Sequence, residues 1–293
     1  MFFMISGYLF YRTFDIKRTK EKITKRVKTL LVPYLLWNII YAVFFVLMTL
    51  IGLVKNAEIE WNAKIILQTL NSDFSPLWFV KYLMIFSLIA PIMYYVFKNK
   101  YVGAIAIMAM IAVNIMCVVF GVLTTPLDVN SNGIVMLNYQ YIFYAIGAYA
   151  GINYREFVEN PTPKKRNISL VVLGALCVLY FLPIFEVNII SSHTFRIAFA
   201  ISLWFAFDLL PEVRIQSWMK MSFWIYCSHT IVLQCAQGII GVLLYDLLGG
   251  GSIVWIAEWI VLPIAIAIFL LFVGLLAKKY TPKIYNLLTG SRL

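Results

Sequence analysis

The residue best placed for proton chemistry is a histidine inside an apolar run. His229 stands in MSFWIYCSHTIVL, about ten residues into a stretch that would bring it near the middle of a bilayer. An imidazole there can take a proton from an attacking hydroxyl and later return it, or it can sit neutral, hydrogen-bonded between helices. Glu258 lies about one and a half turns into the last apolar run, with no cation beside it in sequence. It could orient a histidine or accept a hydroxyl; an outward-snorkelling or protonated carboxyl is the alternative. Arg26, flanked by Lys25 and Lys28, opens another run. A guanidinium at such a mouth can grip a phosphate bidentately, although basic residues are also what membrane topology alone demands there. In SPLWFVKYLMIF, Trp78 and Lys81 would either anchor an outer interface or face a molecule entering from outside. Arg196 and Asp208 are twelve residues apart, about 18 Å of helical rise, so they cannot pair with each other.

Other chemistries find no support. There is no G-x-S-x-G, no P-loop and no zinc signature, which leaves hydrolase, ATPase and zinc-enzyme readings without a motif, and no metal or bound cofactor is expected. Cys117, Cys177, Cys227 and Cys235 all fall within apolar segments at spacings that suit neither metal nor redox work, and read as small apolar fillers.

The elements that must position these groups are membrane spans. Of 293 residues, 62% are hydrophobic and 13% charged, and the mean hydropathy is +0.87. Such a chain has too little polar surface to cover a soluble core. Apolar runs near 30–54, 76–97, 101–123, 135–153, 168–187, 194–210, 219–247 and 253–277 give eight spans, and residues 1–11 form a stub too short to cross. The expected fold is all-α: a polytopic helical bundle of eight full spans plus a partial N-terminal helix, in a single membrane-embedded domain over 1–293 with no separate soluble domain.

Charge orients it. Between the stub and the first full span lie Arg12, Lys17, Arg18, Lys20, Lys22, Lys25, Arg26 and Lys28. With that loop inside, the inner segments 12–29, 98–100, 154–166, 211–220 and 278–293 hold twenty of the 24 basic residues. The net charge of +11 is therefore read as topology rather than as a nucleic-acid surface, and the C-terminus is expected in the cytoplasm. Gly147 and Gly151 make a G-x-x-x-G that points to helix packing, and no internal repeat favours an inverted-repeat transporter.

The block FFMISGYLF, the basic run, Arg26 seven residues before Pro33–Tyr34, and LLWNIIY together resemble the second and third helices of the membrane acyltransferase family 3 proteins. The matching positions are Phe2, Phe3, Ser6, Gly7, Leu9, Arg26, Pro33, Tyr34 and Trp37; where many members carry a further Arg, this chain has Thr29. Residues 76–83, with their LWF block, and Ser222, Phe223, Ile225, Tyr226 and His229 resemble two further family segments.

The resemblance implies a bacterial plasma-membrane enzyme, multi-pass, moving an acyl group, expectedly acetyl from acetyl-CoA, to a hydroxyl of an envelope polysaccharide, lipid-linked sugar or related molecule. It implies ten spans in an intact member, and a first helix that carries the principal catalytic histidine and would pack on Ser6 and Gly7. That helix does not precede Phe2 here, so the chain is expected to be N-terminally truncated and inactive as written. In this reading Arg26, Lys25 and Lys28 hold the acyl-CoA phosphates. His229 and Glu258 line the catalytic cavity, while Ser6, Trp78, Lys81 and Tyr226 are candidates for contact with the acceptor. The rivals are a non-catalytic protein that binds or transports an envelope glycolipid, and an inactive homologue.

Overall fold

The computed structural model describes residues 1–51, 75–120, 139–181, 189–207, 216–240 and 252–291; within these, the side chains at 118–119, 139, 181, 189–194, 217, 237–240 and 252–258 are not described. Among the described residues the regular structure is all helical, with no strand. The expected outer loop 55–75 falls almost wholly outside them, as do Asp128, Glu186, Asp208 and Asp246.

Met1–Thr19 and Ile89–Val213 form one compact unit, and Lys20–Leu88 and Arg214–Leu293 a second. In the first unit, α1 (Phe2–Tyr11) packs along α7 (Tyr139–Asn153). The close approach rests on glycine: a Cβ built on Gly147 would stand 1.9 Å from the carbonyl oxygen of Met4, and one on Gly151 would stand 2.8 Å from that of Tyr8. Because residue 4 meets 147 and residue 8 meets 151, the two helices run parallel. The G-x-x-x-G is thus a packing device, and Gly7 meets the backbone of Tyr144 and Ala148 in α7 rather than the family's first helix, the neighbour that resemblance implied. The unit continues through α5 (Ala90–Phe97), α6 (Lys100–Val119), α8 (Arg155–Glu159), α9 (Pro163–Phe181) and α10 (Ile189–Ala206). Asn99 starts α6 by accepting from the backbone N–H groups of Tyr101 and Val102 at 2.9 and 3.2 Å.

The basic stretch expected as a loop is helical from Ile16 onward. Asp15 caps a short 3₁₀ turn (Ile16–Arg18) by accepting from the Lys17 N–H at 2.9 Å, α2 (Thr19–Arg26) follows, and a π-turn (Val27–Leu31) leads directly into α3 (Val32–Leu50). No Gly or Pro interrupts residues 16–32, so nothing in the backbone forces a break, and Ile16–Leu50 is one 35-residue helical run. Pro33 lacks the N–H that would bond the Thr29 carbonyl, and the π-turn lies immediately before it. Along the π-turn and α3, Leu30, Tyr34, Trp37 and Tyr41 are buried, spaced four, three and four apart, while Ile39, Val43 and Leu47 on another face are more than half exposed. A helix apolar all round, with one face packed and the rest open, is what contact with lipid requires.

The span expected at 76–97 is two helices, α4 (Trp78–Leu88) and α5, broken ahead of Pro91, which sits in the first turn of α5. The second unit is completed by a 3₁₀ turn (Ser217–Met221), α11 (Ser222–Ile240), α12 (Ser252–Tyr280) and α13 (Pro282–Thr289). Each expected span contains one or more described helices. Three of these, Ile16–Leu50, Lys100–Cys117 and Trp259–Tyr280, are long and apolar enough to cross a membrane among the described residues, or four if α4 and α5 count as one. The chain is an all-helical membrane protein; that count does not reach the eight full spans read from the sequence. Cys227 is buried as expected of a filler, whereas Cys177 and Cys235 are exposed.

Candidate active site

The second unit sets α3, which continues the helical run that carries Arg26, beside α11, which carries His229. Trp37 of α3 meets Trp224 of α11 with ring centroids 5.6 Å apart, and one turn further on the Tyr41 hydroxyl donates to the Cys227 carbonyl at 2.9 Å. Residue numbers increase together, so α3 and α11 are parallel. Helix α12 returns against α11: Trp224 Nε1 donates to the Leu270 carbonyl at 3.1 Å, and Gly274 packs on Met221 and Trp224. Parallel entry of α3 and α11, with α12 reversed, is the arrangement that the charge pattern requires.

At the starting end of α3 sits α13. The Trp37 indole donates to the Leu288 carbonyl at 3.0 Å, and Tyr285, buried beside Trp224, has its phenol pushed above its usual pKa by that burial. Gly290 caps α13 with φ 67°, and a Cβ there would lie 2.2 Å from the Thr29 oxygen. In a regular α-helix the donor to that oxygen would be the N–H of residue 33, which is a proline here. The C-terminal tail is thus a docked helix.

His229 is half-buried, two residues beyond the Tyr41 contact. Its Nδ1 lies 2.8 Å from the Tyr226 carbonyl, which can only accept, so Nδ1 carries the ring proton. In the neutral ring Nε2 then presents a lone pair, and the Thr230 hydroxyl stands 3.3 Å from it. A fixed tautomer with an accepting Nε2 is the form a general base needs. Asn38, buried one turn beyond Tyr34, donates to the Tyr34 carbonyl at 2.9 Å and accepts from the Ser75 hydroxyl at 2.6 Å. Nothing in the sequence marks Asn38, Tyr41, Ser75 and Thr230. Each is one polar residue in an apolar run, and only the fold shows that they gather on α3, α11 and the residues leading into α4.

The remaining candidates separate. Arg26 is half-buried and Lys25 and Lys28 are exposed at the junction of α2 and the π-turn. Fifteen residues separate Arg26 from Tyr41, about 22 Å of helical rise, so the basic end and the His229 level are joined along one helix and far apart. The Tyr226 hydroxyl is committed to the Pro76 carbonyl, and its ring meets Phe79, so it ties α11 to α4. Trp78 is 42% exposed and Lys81 half-buried. Glu258 lies on α12, but its side chain is outside the described residues. Ser6 belongs to the first unit, on the helix that packs against α7.

The family profile described as an acyltransferase domain, that of acyltransferase family 3, matches residues 1–280. The chain belongs to the acyltransferase 3 family. The match takes in both units up to the end of α12 and stops short of α13. No curated protein and no solved structure matches the chain. As a member of this family with long apolar helices, the protein is a membrane acyltransferase.

Proposed function

We propose that this acyltransferase 3 protein moves an acetyl group from acetyl-CoA to a hydroxyl of a cell-envelope polysaccharide, lipid-linked sugar or related molecule at a bacterial plasma membrane. The observation that carries the reading is the fixed tautomer of His229, with Nδ1–H held by Tyr226 and Nε2 left as an acceptor, on a helix parallel to α3, which continues the helical run that carries Arg26. A donor with phosphates at one end and a thioester at the end of a long arm matches a cationic mouth and a base separated along α3. Arg26, with Lys25 and Lys28, binds the phosphates. In place of the histidine that the resemblance assigns to a preceding helix, and against the expectation of an inactive chain, Nε2 of His229 takes the proton of the acceptor hydroxyl as its oxygen attacks the thioester carbonyl. The tetrahedral intermediate collapses with cleavage of the C–S bond, and the imidazolium returns the proton to the departing sulfur, leaving an ester and free CoA. Trp78, Lys81 and Tyr226, all of the second unit, are further contacts to the acceptor.

The test is transfer of radiolabelled acetyl from acetyl-CoA into envelope glycans by membranes containing the protein. His229→Ala is expected to lower transfer by about 10²-fold or more, and Arg26→Ala to raise the KM for acetyl-CoA while sparing kcat. Undiminished transfer by His229→Ala, in protein shown to be inserted and folded, refutes the role of His229. Glycolipid binding that never depends on acyl-CoA would favour a binding or transport protein instead.

A further inference from the structure

The first unit contains a cavity that the acyl-transfer reading does not use. It measures about 200 Å³, and no polar group contributes to its wall. Met4 of α1 and Ala150 of α7 form one side, Phe157 of α8 and its preceding residue Tyr154 a second, and Trp204 and Phe205 of α10 a third. By comparison, an engineered cavity of about 150 Å³ stays dry and binds the six carbons of benzene, so this space accommodates about eight carbons of an apolar chain.

Its rim is cationic. The Lys165 ammonium lies 4.4 Å from the centroid of the Phe157 ring and 5.8 Å from that of Phe205, and the Lys100 ammonium 5.4 Å from that of Tyr154, so two cations stand over three rings of the wall. Lys165 donates to the carbonyls of Phe157 and Asn160, which leaves one of its three protons for an outside acceptor. Close by, Arg12 and Arg155 both engage Glu159, at 3.5 and 2.9 Å. Counting Glu156 on the same helix, four cations face two carboxylates. An apolar slot with a net positive mouth, in a membrane protein, is complementary to one chemistry above others: a long acyl chain ending in an anionic headgroup.

We propose that this cavity is a binding site for one acyl chain of an anionic phospholipid, whose phosphate sits against Lys165 and Lys100. The site shares no residue with the Arg26 and His229 machinery, and its occupancy is independent of donor and acceptor. Bound lipid would bridge α1, α7, α8 and α10 within the unit.

The protein, reconstituted in nanodiscs, is photolabelled with phosphatidylglycerol carrying a diazirine in its acyl chain, in competition with unlabelled phosphatidylglycerol or phosphatidylcholine. Labelled peptides should map to Tyr154–Val158 and to the residues around Trp204. Unlabelled phosphatidylglycerol should compete about thirtyfold better than phosphatidylcholine, from about 1 kcal/mol for each of two lysines. Lys100→Glu with Lys165→Glu should abolish that preference, and Ala150→Phe should remove the label by filling the slot. Thermal melting of each variant confirms that it is folded, and if Ala150→Phe does not fold, the charge-reversed pair carries the test by itself. Label elsewhere, no label, equal competition by the two lipids, or a preference unmoved by the charge reversal in folded protein overturns the proposal.

Discussion

Replacing Gly147 by alanine adds one methyl group where the structure has no room for it. The new Cβ would lie 1.9 Å from the Met4 oxygen and 2.7 Å from the Met4 carbonyl carbon, both backbone atoms that cannot swing aside. Ordinary contact begins at 3.4 Å, so α1 and α7 must separate by about 1.5 Å at this point. A gap of 0.5–1 Å already forfeits a quarter to a half of a dispersion contact, and the loss spreads to Gly7 against Tyr144 and Gly151 against Tyr8. Overpacking of this kind costs about 3 kcal/mol, offset by about 1 kcal/mol from alanine's better helix propensity. The net of about 2 kcal/mol corresponds to a fall in Tm of about 4–8 °C. The control is Gly174→Ala in α9, where nothing lies within 4 Å of the added carbon; it keeps the propensity gain and should leave Tm unchanged or slightly raised. Both are read by scanning tryptophan fluorescence in one detergent, with Trp204 as a reporter because its ring packs edge-on against Tyr8 of α1 at 5.2 Å. If Gly147→Ala melts with the wild type or above Gly174→Ala, the parallel α1–α7 contact does not hold the unit together as argued.

Three further outcomes follow from particular contacts. Gly290→Ala combines a left-handed backbone with a Cβ 2.2 Å from the Thr29 oxygen, so it should release α13 and speed proteolysis at the C-terminus, while Lys283→Ala on the same helix should not; equal protease resistance would refute the docked cap. Trp37→Phe removes the donor to the Leu288 carbonyl and should lower stability by about 1 kcal/mol, measured by the same melts. Glu159 has its carboxyl held below the usual value of 4.5, first by the hydrogen bond from Arg155. A depressed carboxyl stabilises above its unfolded pKa and loses that contribution as pH falls through the folded one. Tm should therefore decline in part below about pH 4.5 for the wild type, and Glu159→Gln, already without the ion pairs at neutral pH, should show a shallower acid decline.

The sequence by itself determined that this protein is helical and lives in a membrane, because 62% hydrophobic residues in long runs leave no other way to satisfy the backbone. It also determined the sense of the helices: basic residues between alternate runs require α3 and α11 to enter from one side and α12 to return, and the ring and hydrogen-bond contacts of the second unit have that order. Gly147 and Gly151 announced a close helix contact through their spacing. The partner was not legible, since small residues allow an approach without saying from where, and only the fold showed α1 lying against them.

Charge misled at residues 12–29. A basic run reads as a loop, but charge sets which side of the membrane a segment prefers and says little about its backbone; with no Gly or Pro to break it, the run is helical as far as Leu50. His229 could be singled out because an imidazole in an apolar run is costly. Its tautomer could not, because that depends on a carbonyl 2.8 Å away, three residues earlier, which becomes an acceptor for Nδ1 only when α11 is wound and the ring is turned toward it. Asn38, Tyr41, Ser75 and Thr230 carry no spacing signal between them, since they come from separate segments. The cavity between α1, α7, α8 and α10 is the same case: its apolar residues look like those of any span, and only packing makes them a wall.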